Sequence, residues 1–283
     1  MKKIGHIASI WHYPVKGMAG SSLSEAPVDQ QGIKGDRLWA VRDINRQEIQ
    51  SCKFRPQLLQ CRARYANSDM TIVNITLPSG KVVQCGESET NKLISDLVGH
   101  ESELRSLEPA SNESFYRRYK QGDIHWLDEL KHTFAREPGE PLPDLDNLPP
   151  EMEAFVSQLG TFFLVSPLHI LTSASMKHMY HLNPNAEWHL ERFRPNIVIE
   201  TEPDISGLAE QDWLGHTLRI GNTDIECLDT APRCGAVVRK QQEIKEDTSI
   251  LRSIVAEAEQ NLGIYGQTTK DGTIHVGDAV YLV

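Results

Sequence analysis

The stretch that most constrains the fold is Thr217-Leu218-Arg219-Ile220, then Gly221-Asn222-Thr223, then Asp224 to Leu228. Two alternating runs around a Gly-Asn turn specify a β-hairpin, because the residue period of two and the left-handed tolerance of Gly and Asn agree. That hairpin leads into Ala231-Pro232-Arg233-Cys234-Gly235, so a cysteine beside an arginine falls at a strand end. Such a thiol is either a small hydrophobe or, with the cation favouring its ionised form, a nucleophile or soft-metal ligand.

Similar strand and turn signals recur along the chain. Residues 4–13 read as a buried strand broken by Tyr13-Pro14-Val15-Lys16-Gly17, which leaves Lys16 at a loop able to reach a ligand. Gly35-Asp36-Arg37 precedes the β-patterned Leu38 to Val41 and places Arg37 at a strand mouth. A hairpin is expected at 70–77 and 81–85, and a helix at 89–98 stopped by Gly99. After a proline-rich acidic stretch at 137–150, read as a joining loop or a lid, a short strand is expected at 161–165. Thr172 or Ser173 can cap a helix running to about Leu182, and such an N-terminus offers an anion seat. Arg192 and Arg194 precede a strand at 197–200, a helix with an Asp247-Thr248-Ser249 cap runs to Gly263, and residues 274–283 read as a turn-separated β pair.

Composition narrows the function. A net charge of −10 gives no broad electrostatic footprint for nucleic acid or an anionic membrane, so an anionic ligand needs a local group of Lys and Arg. No stretch approaches the length of a membrane span, and the N-terminus lacks the apolar run of an export signal, so a cytoplasmic protein is expected. Five cysteines without a Cys-x-x-Cys pair argue for free thiols rather than a disulfide framework or a cysteine-built metal cluster. His178 and His181 lie three apart on the expected helix, but no third ligand is spaced with them.

Tyr-Pro-Val-Lys at 13–16, Gly-Asp-Arg at 35–37, Phe-Arg-Pro-Asn at 193–196, Pro-Arg-Cys at 232–234 and Val-Gly-Asp-Ala-Val at 276–280 together resemble the MOSC family, which is named for the C-terminal domain of molybdenum cofactor sulfurases. The resemblance covers nearly the whole chain. It implies an α+β, β-rich fold: a MOSC-type β-barrel core with peripheral helices, plus an N-terminal β-barrel-like domain. The expected division is an N-terminal domain at 1–122, a connecting segment at 123–160 and a MOSC domain at 161–283.

It also implies a molybdenum cofactor, a pterin dithiolene whose metal is held by one protein thiolate at the position of Cys234; a soft thiolate suits a sulfur-ligated metal. Lys16, Arg37 and Arg194 match the family's basic contacts to the pterin phosphate, with Arg233 beside them. Thr172 and Ser173 correspond to polar cofactor contacts at a helix start, and Asn196 to a side chain near the metal. The implied activity is reduction of N-hydroxylated or N-oxide small molecules, with electrons from a separate electron-transfer protein. The alternative is a non-catalytic carrier of the cofactor or of sulfur on Cys234. Relatives of the reductase type have a threonine pair after the cysteine and a serine after the lysine, where this chain has Gly235-Ala236-Val237-Val238 and Gly17.

Overall fold

Alternation of aliphatic residues builds the centre of the molecule. Ile197 and Ile199, Leu218 and Ile220, and Ile225 and Cys227 turn to one side of their strands and meet in a common core. In this computed structural model, which describes residues 1–119, 126–145 and 147–283, those strands form a closed barrel of seven. Its order is Ile197–Thr201, Leu168–Thr172, Asn261–Lys270, Thr223–Pro232, Thr217–Ile220, Ala279–Leu282 and Lys2–His12, the last pairing back onto the first. All neighbours run antiparallel except Leu168–Thr172 beside Ile197–Thr201. Closure leaves no free edge, and the six barrel strands from the second half obtain their seventh from the first twelve residues of the chain.

A second core lies over residues 15–104. Val15, Met18, Leu58, Cys61, Ala63, Val73, Ile75 and Ile94 are buried together beneath three-stranded sheets. The expected hairpin is present as Val73–Thr76 paired with Val82–Gln84, and the expected helix as Ser88–Val98, ended by Gly99 in the left-handed region. Lys2–His12 thus belongs to the C-terminal barrel in space, although it opens the N-terminal half in sequence. The expected boundary at 122 and 123 lies outside the described residues.

Four local expectations differ from the fold. Residues 161–165 form bends rather than a strand, because the adjacent Phe162 and Phe163 are both buried instead of alternating. The helix after Asp247 is Ser249–Glu257, and its end is set by Glu259 and Gln260 at φ of 45° and 65°, not by Gly263. Gly272–His275 and Ala279–Leu282 are not a pair: the former joins Glu25–Asp29, the latter joins the barrel. Their shared turn hands the chain from one sheet to another.

The ten-residue strand Asn261–Lys270 carries no simple alternation because two glycines interrupt it. Gly263 has a φ of +82°, and a Cβ there would stand 2.3 Å from His169 Nε2 and 2.7 Å from the Ile170 carbonyl oxygen. Only glycine fits both the conformation and the gap. Gly263→Ala is therefore expected to destabilise the protein by about 2–3 kcal/mol, combining left-handed strain with a backbone contact that cannot yield. Urea denaturation checks this, and a midpoint unchanged from wild type would contradict it.

Candidate functional site

The junction between the two cores is tied by a buried carboxylate. Asp36 Oδ1 accepts from the Tyr13 amide at 2.7 Å, and Oδ2 accepts from Asn196 Nδ2 at 3.1 Å and from Arg37. Asn196 also accepts from the His169 amide at 3.1 Å and donates to the Trp11 carbonyl at 3.3 Å. Its side chain is fully buried and fully used, so the structure gives Asn196 the work of holding Asp36 and two barrel strands.

Around this knot stand the cations. The Arg37 guanidinium lies 5.4 Å from the centre of the Tyr13 ring and 5.2 Å from that of Phe163; the Arg194 guanidinium lies 4.2 Å from the Tyr13 ring. Tyr13 thereby spaces two like charges on its ring, while its hydroxyl donates to the Pro195 carbonyl at 2.9 Å. Arg37 and Arg194 both have positive φ, 52° and 54°, an unfavourable conformation for arginine that the surrounding contacts impose. Arg194 donates to the Met18 carbonyl at 2.5 Å, and its Nη2 is buried without a partner.

Lys16 donates to the Phe162 carbonyl at 2.6 Å. Burial first, then the Arg37 guanidinium, pushes its pKa down to about 7. Arg233 donates to the Phe193 carbonyl at 2.8 Å and stands 3.4 Å from His169 Nε2, and its Nε is buried without a partner. Burial and that guanidinium push His169 down to about 3, which keeps the imidazole neutral.

Cys234 lies two residues past the barrel strand Thr223–Pro232, at the N-cap of the short helix Gly235–Val238. Cys52 lies near enough to interact electrostatically with it; burial pushes the Cys52 thiol up. The connecting segment covers Cys234. Leu130, Phe134 and Leu145 pack as a small apolar cluster with Cys234 against it. A Cβ on Gly235 would meet Ala135 Cβ at 2.9 Å and the Thr133 carbonyl oxygen at 3.1 Å, so glycine admits the cover this closely. Arg136 donates to the Arg233 carbonyl at 3.1 Å and to Gln260 Oε1 at 3.0 Å. Arg252 fixes the acidic loop through Glu140 Oε2 at 2.5 Å and the Ala135 carbonyl at 2.6 Å. The stretch read as a loop or lid is thus a pinned cover.

The structure brings Lys16, Arg37, Arg194, Arg233 and Cys234 into one neighbourhood, and engages Thr172 and Ser173 elsewhere. Thr172 is the N-cap of the helix Ser173–Leu182, accepting from the Ser175 amide at 3.1 Å, and donates to Glu210 Oε2 at 2.6 Å. Ser173 meets Thr201 Oγ1 at 3.3 Å. At this helix start the protein's own Glu210 carboxylate accepts from the Thr172 and Ser175 hydroxyls, and burial raises its pKa. His178 and His181 remain without a third ligand, and among the described residues no three His, Cys, Asp or Glu side chains gather to hold a metal. Sequence reading missed Tyr13, Asp36, Cys52, His169 and Arg136 as site residues; Tyr13 and Asp36 sit within two of the five quoted motifs, whereas the other three have no local signal.

A closed β-barrel with a β-rich partner domain, and a thiol among cations drawn from both, defines the class to which this chain belongs. Residues 158–281 match the MOSC domain and residues 4–107 the MOSC N-terminal beta barrel domain, so the chain is a member of the MOSC family. Human mitochondrial amidoxime reducing component 2 is 24% identical to it, over 99% of this chain and 84% of that protein. Human mitochondrial amidoxime-reducing component 1 is 25% identical, over 100% of this chain and 84% of that protein. Among solved structures, the YUAD protein from Bacillus subtilis aligns with 99% of this chain and 95% of its own at 11% identity and a TM-score of 0.42.

The depressed Lys16 pKa generates a prediction. In the chain without an anionic ligand, Lys16 is expected to titrate near pH 7, and its titration is expected to move upward when an anion sits beside it. The folded-state value lies below the ordinary lysine value, so Lys16 favours folding increasingly as pH rises from about 7 toward the unfolded-state value. NMR of carbon-13-methylated lysines reads the titration, and a Lys16 midpoint at the ordinary value would refute the assignment.

Proposed function

We propose that this chain binds a molybdenum cofactor through Cys234 and reduces N-hydroxylated or N-oxide compounds with electrons from a separate protein. The observation that carries this reading is the convergence of Lys16, Arg37, Arg194 and Arg233 from both halves on one thiol, with Arg194 Nη2 and Arg233 Nε buried and unpartnered. The residues fit such a group. Orphaned guanidinium N–H groups suit an anion, and a single thiol suits a metal whose remaining ligands come from the cofactor. The family and the names of the amidoxime-reducing relatives support the reductase class.

When bound, the cofactor supplies two-electron oxygen-removal chemistry, and the chain supplies position and charge. Lys16, Arg37 and Arg194 would hold the phosphate tail, with Arg37 and Arg194 oriented by Tyr13 and Asp36. Arg233 would neutralise charge beside the thiol. Cys234 would hold the metal. Lys16, near neutrality in affinity for protons, can hold or release one at Nζ around physiological pH. Thr172, Ser173 and Asn196 we assign to positioning the barrel strands rather than to contact. Leu130, Phe134 and Leu145 exclude water above Cys234. The five free cysteines motivate a cytoplasmic location as part of the proposal, and among the described residues no helix is long and apolar enough to cross a membrane.

Protein made in a cofactor-competent host should contain near-stoichiometric molybdenum and the fluorescence of an oxidised pterin. Cys234→Ala is expected to lose both, whereas Cys227→Ala, which removes a core thiol remote in role, keeps them at a stability cost of about 1 kcal/mol. Arg37→Gln and Arg194→Gln are each expected to lower occupancy roughly tenfold, the loss of about 1.4 kcal/mol of charge-assisted bonding. Retained metal in Cys234→Ala would overturn the ligand assignment. Benzamidoxime reduction with an artificial donor then reports turnover, and full occupancy without it would leave a cofactor carrier.

A further inference from the structure

Beside the thiol lies a cleft of about 240 Å³ between residues 46–55 and the connecting segment. It is continuous with the site by two shared residues. Lys16 belongs to the cationic group and lines the cleft; Leu130 covers Cys234 and lines it too. Its apolar lining is Ile49, Leu130, Met152, Val156 and Leu164. Its basic lining includes Arg46, Lys53 and Arg55.

Lys53 and Arg55 differ from the surface basic groups that ion pairs consume elsewhere. Lys53 Nζ stands 5.6 Å from the centre of the Phe134 ring and has no ion-pair partner among the described residues, whereas Arg46 lies 5.4 Å over Tyr119 and faces the Glu48 carboxylate. Arg55 donates from Nη1 to the Phe54 carbonyl at 3.1 Å, and its Nε is buried without a partner. Arg118, also in the wall, is already committed to the Met152 and Phe155 carbonyls. Two carboxylates, Glu48 and Glu129, share the lining. Glu48 accepts from the Tyr119 amide at 3.0 Å, and burial raises its pKa against the opposing pull of that bond and of Arg118 and Arg46.

A chain of net charge −10 that concentrates unpaired cations in one cleft focuses positive potential there. We infer that this cleft selects substrates that carry, beside an apolar body, an anionic carboxylate or phosphate that Lys53 and Arg55 receive. This rests on the reductase reading and deepens it by naming the substrate class. The apolar lining takes the body, and Lys53 and Arg55 take the charge.

The test uses cofactor-loaded protein and three probes: benzamidoxime, para-carboxybenzamidoxime and the para-phosphate analogue. Calorimetric titration gives binding, and reduction by an artificial donor gives kcat/KM. Wild type is expected to favour the anionic probes about tenfold or more over the neutral one, a charge-assisted bond's worth of about 1.4 kcal/mol. In Lys53→Gln/Arg55→Gln that ratio is expected to fall toward one. Preference for the phosphate probe alone, or the carboxylate alone, identifies which anion the cleft is built for. No preference in wild type, or a ratio unmoved in the double variant, overturns the inference. So does loss of molybdenum from the double variant, because the cations would then serve the cofactor. Selective binding of the anionic probes without reduction of any probe would sustain the cleft assignment and sink the reductase reading instead.

Discussion

The Asp36 carboxylate is the interaction on which the remainder rests. It takes hydrogen bonds from the Tyr13 amide and from Asn196, and pairs with Arg37, so a single buried anion joins the N-terminal loop to the C-terminal barrel. A buried charge is tolerated only when paired and hydrogen-bonded on all sides, and its removal would leave Arg37 uncompensated at a cost of several kcal/mol. Lys2–His12 supplies the closing strand, and immediately after that strand the chain turns at Tyr13 under the Asp36 bond. The closing strand, which pairs with Ile197–Thr201 and Ala279–Leu282, and the buried arginines therefore meet at one carboxylate.

Beyond Asp36, the neighbourhood is rich in cations. Lys16, Arg37, Arg194 and Arg233 repel one another in a poorly solvated space, and the protein answers in three ways. Aromatic faces at Tyr13, Phe163 and Phe193 disperse the charge of the arginines. Backbone carbonyls at Met18, Phe162 and Phe193 accept their protons. Lys16, which unlike arginine can give up its proton near neutrality, does so most readily of the four. What these devices leave is an arrangement stabilised by any anion that enters, since a ligand bound only by the folded state adds its binding free energy to stability.

The sequence made the cations legible because each lies in a short motif at a strand mouth, where loop geometry exposes a side chain. It did not make their neighbours legible. Cys52 reaches Cys234 across the interface between the cores, and no spacing between positions 52 and 234 encodes that meeting. Thr172 was a sound helix cap, as the local pattern Thr-Ser-Ala-Ser suggests, yet its partner is a carboxylate thirty-eight residues away. An anion seat is visible in sequence; its occupant is decided by tertiary structure. The strand Asn261–Lys270 was hidden for a related reason. Gly263 and Gly266 are demanded by the close approach of His169, Ile170 and Ile225, and those contacts exist only once the barrel closes.

The cover over Cys234 shows how a segment with no periodicity can still be ordered. Within residues 134–145 only Phe134 and Leu145 pack in a common apolar cluster, so the position of the rest is set from outside. Arg252 grips Glu140 and the Ala135 carbonyl, Arg136 reaches Gln260 and the Arg233 carbonyl, and Gly235 clears the space beneath. Each bond is modest alone, but they act on one short stretch and so restrict it jointly. Two of the anchors, Arg233 and Gly235, flank Cys234 itself. A change in the chain around that cysteine is therefore transmitted to the cover directly, and the same backbone that presents the thiol decides how much water reaches it.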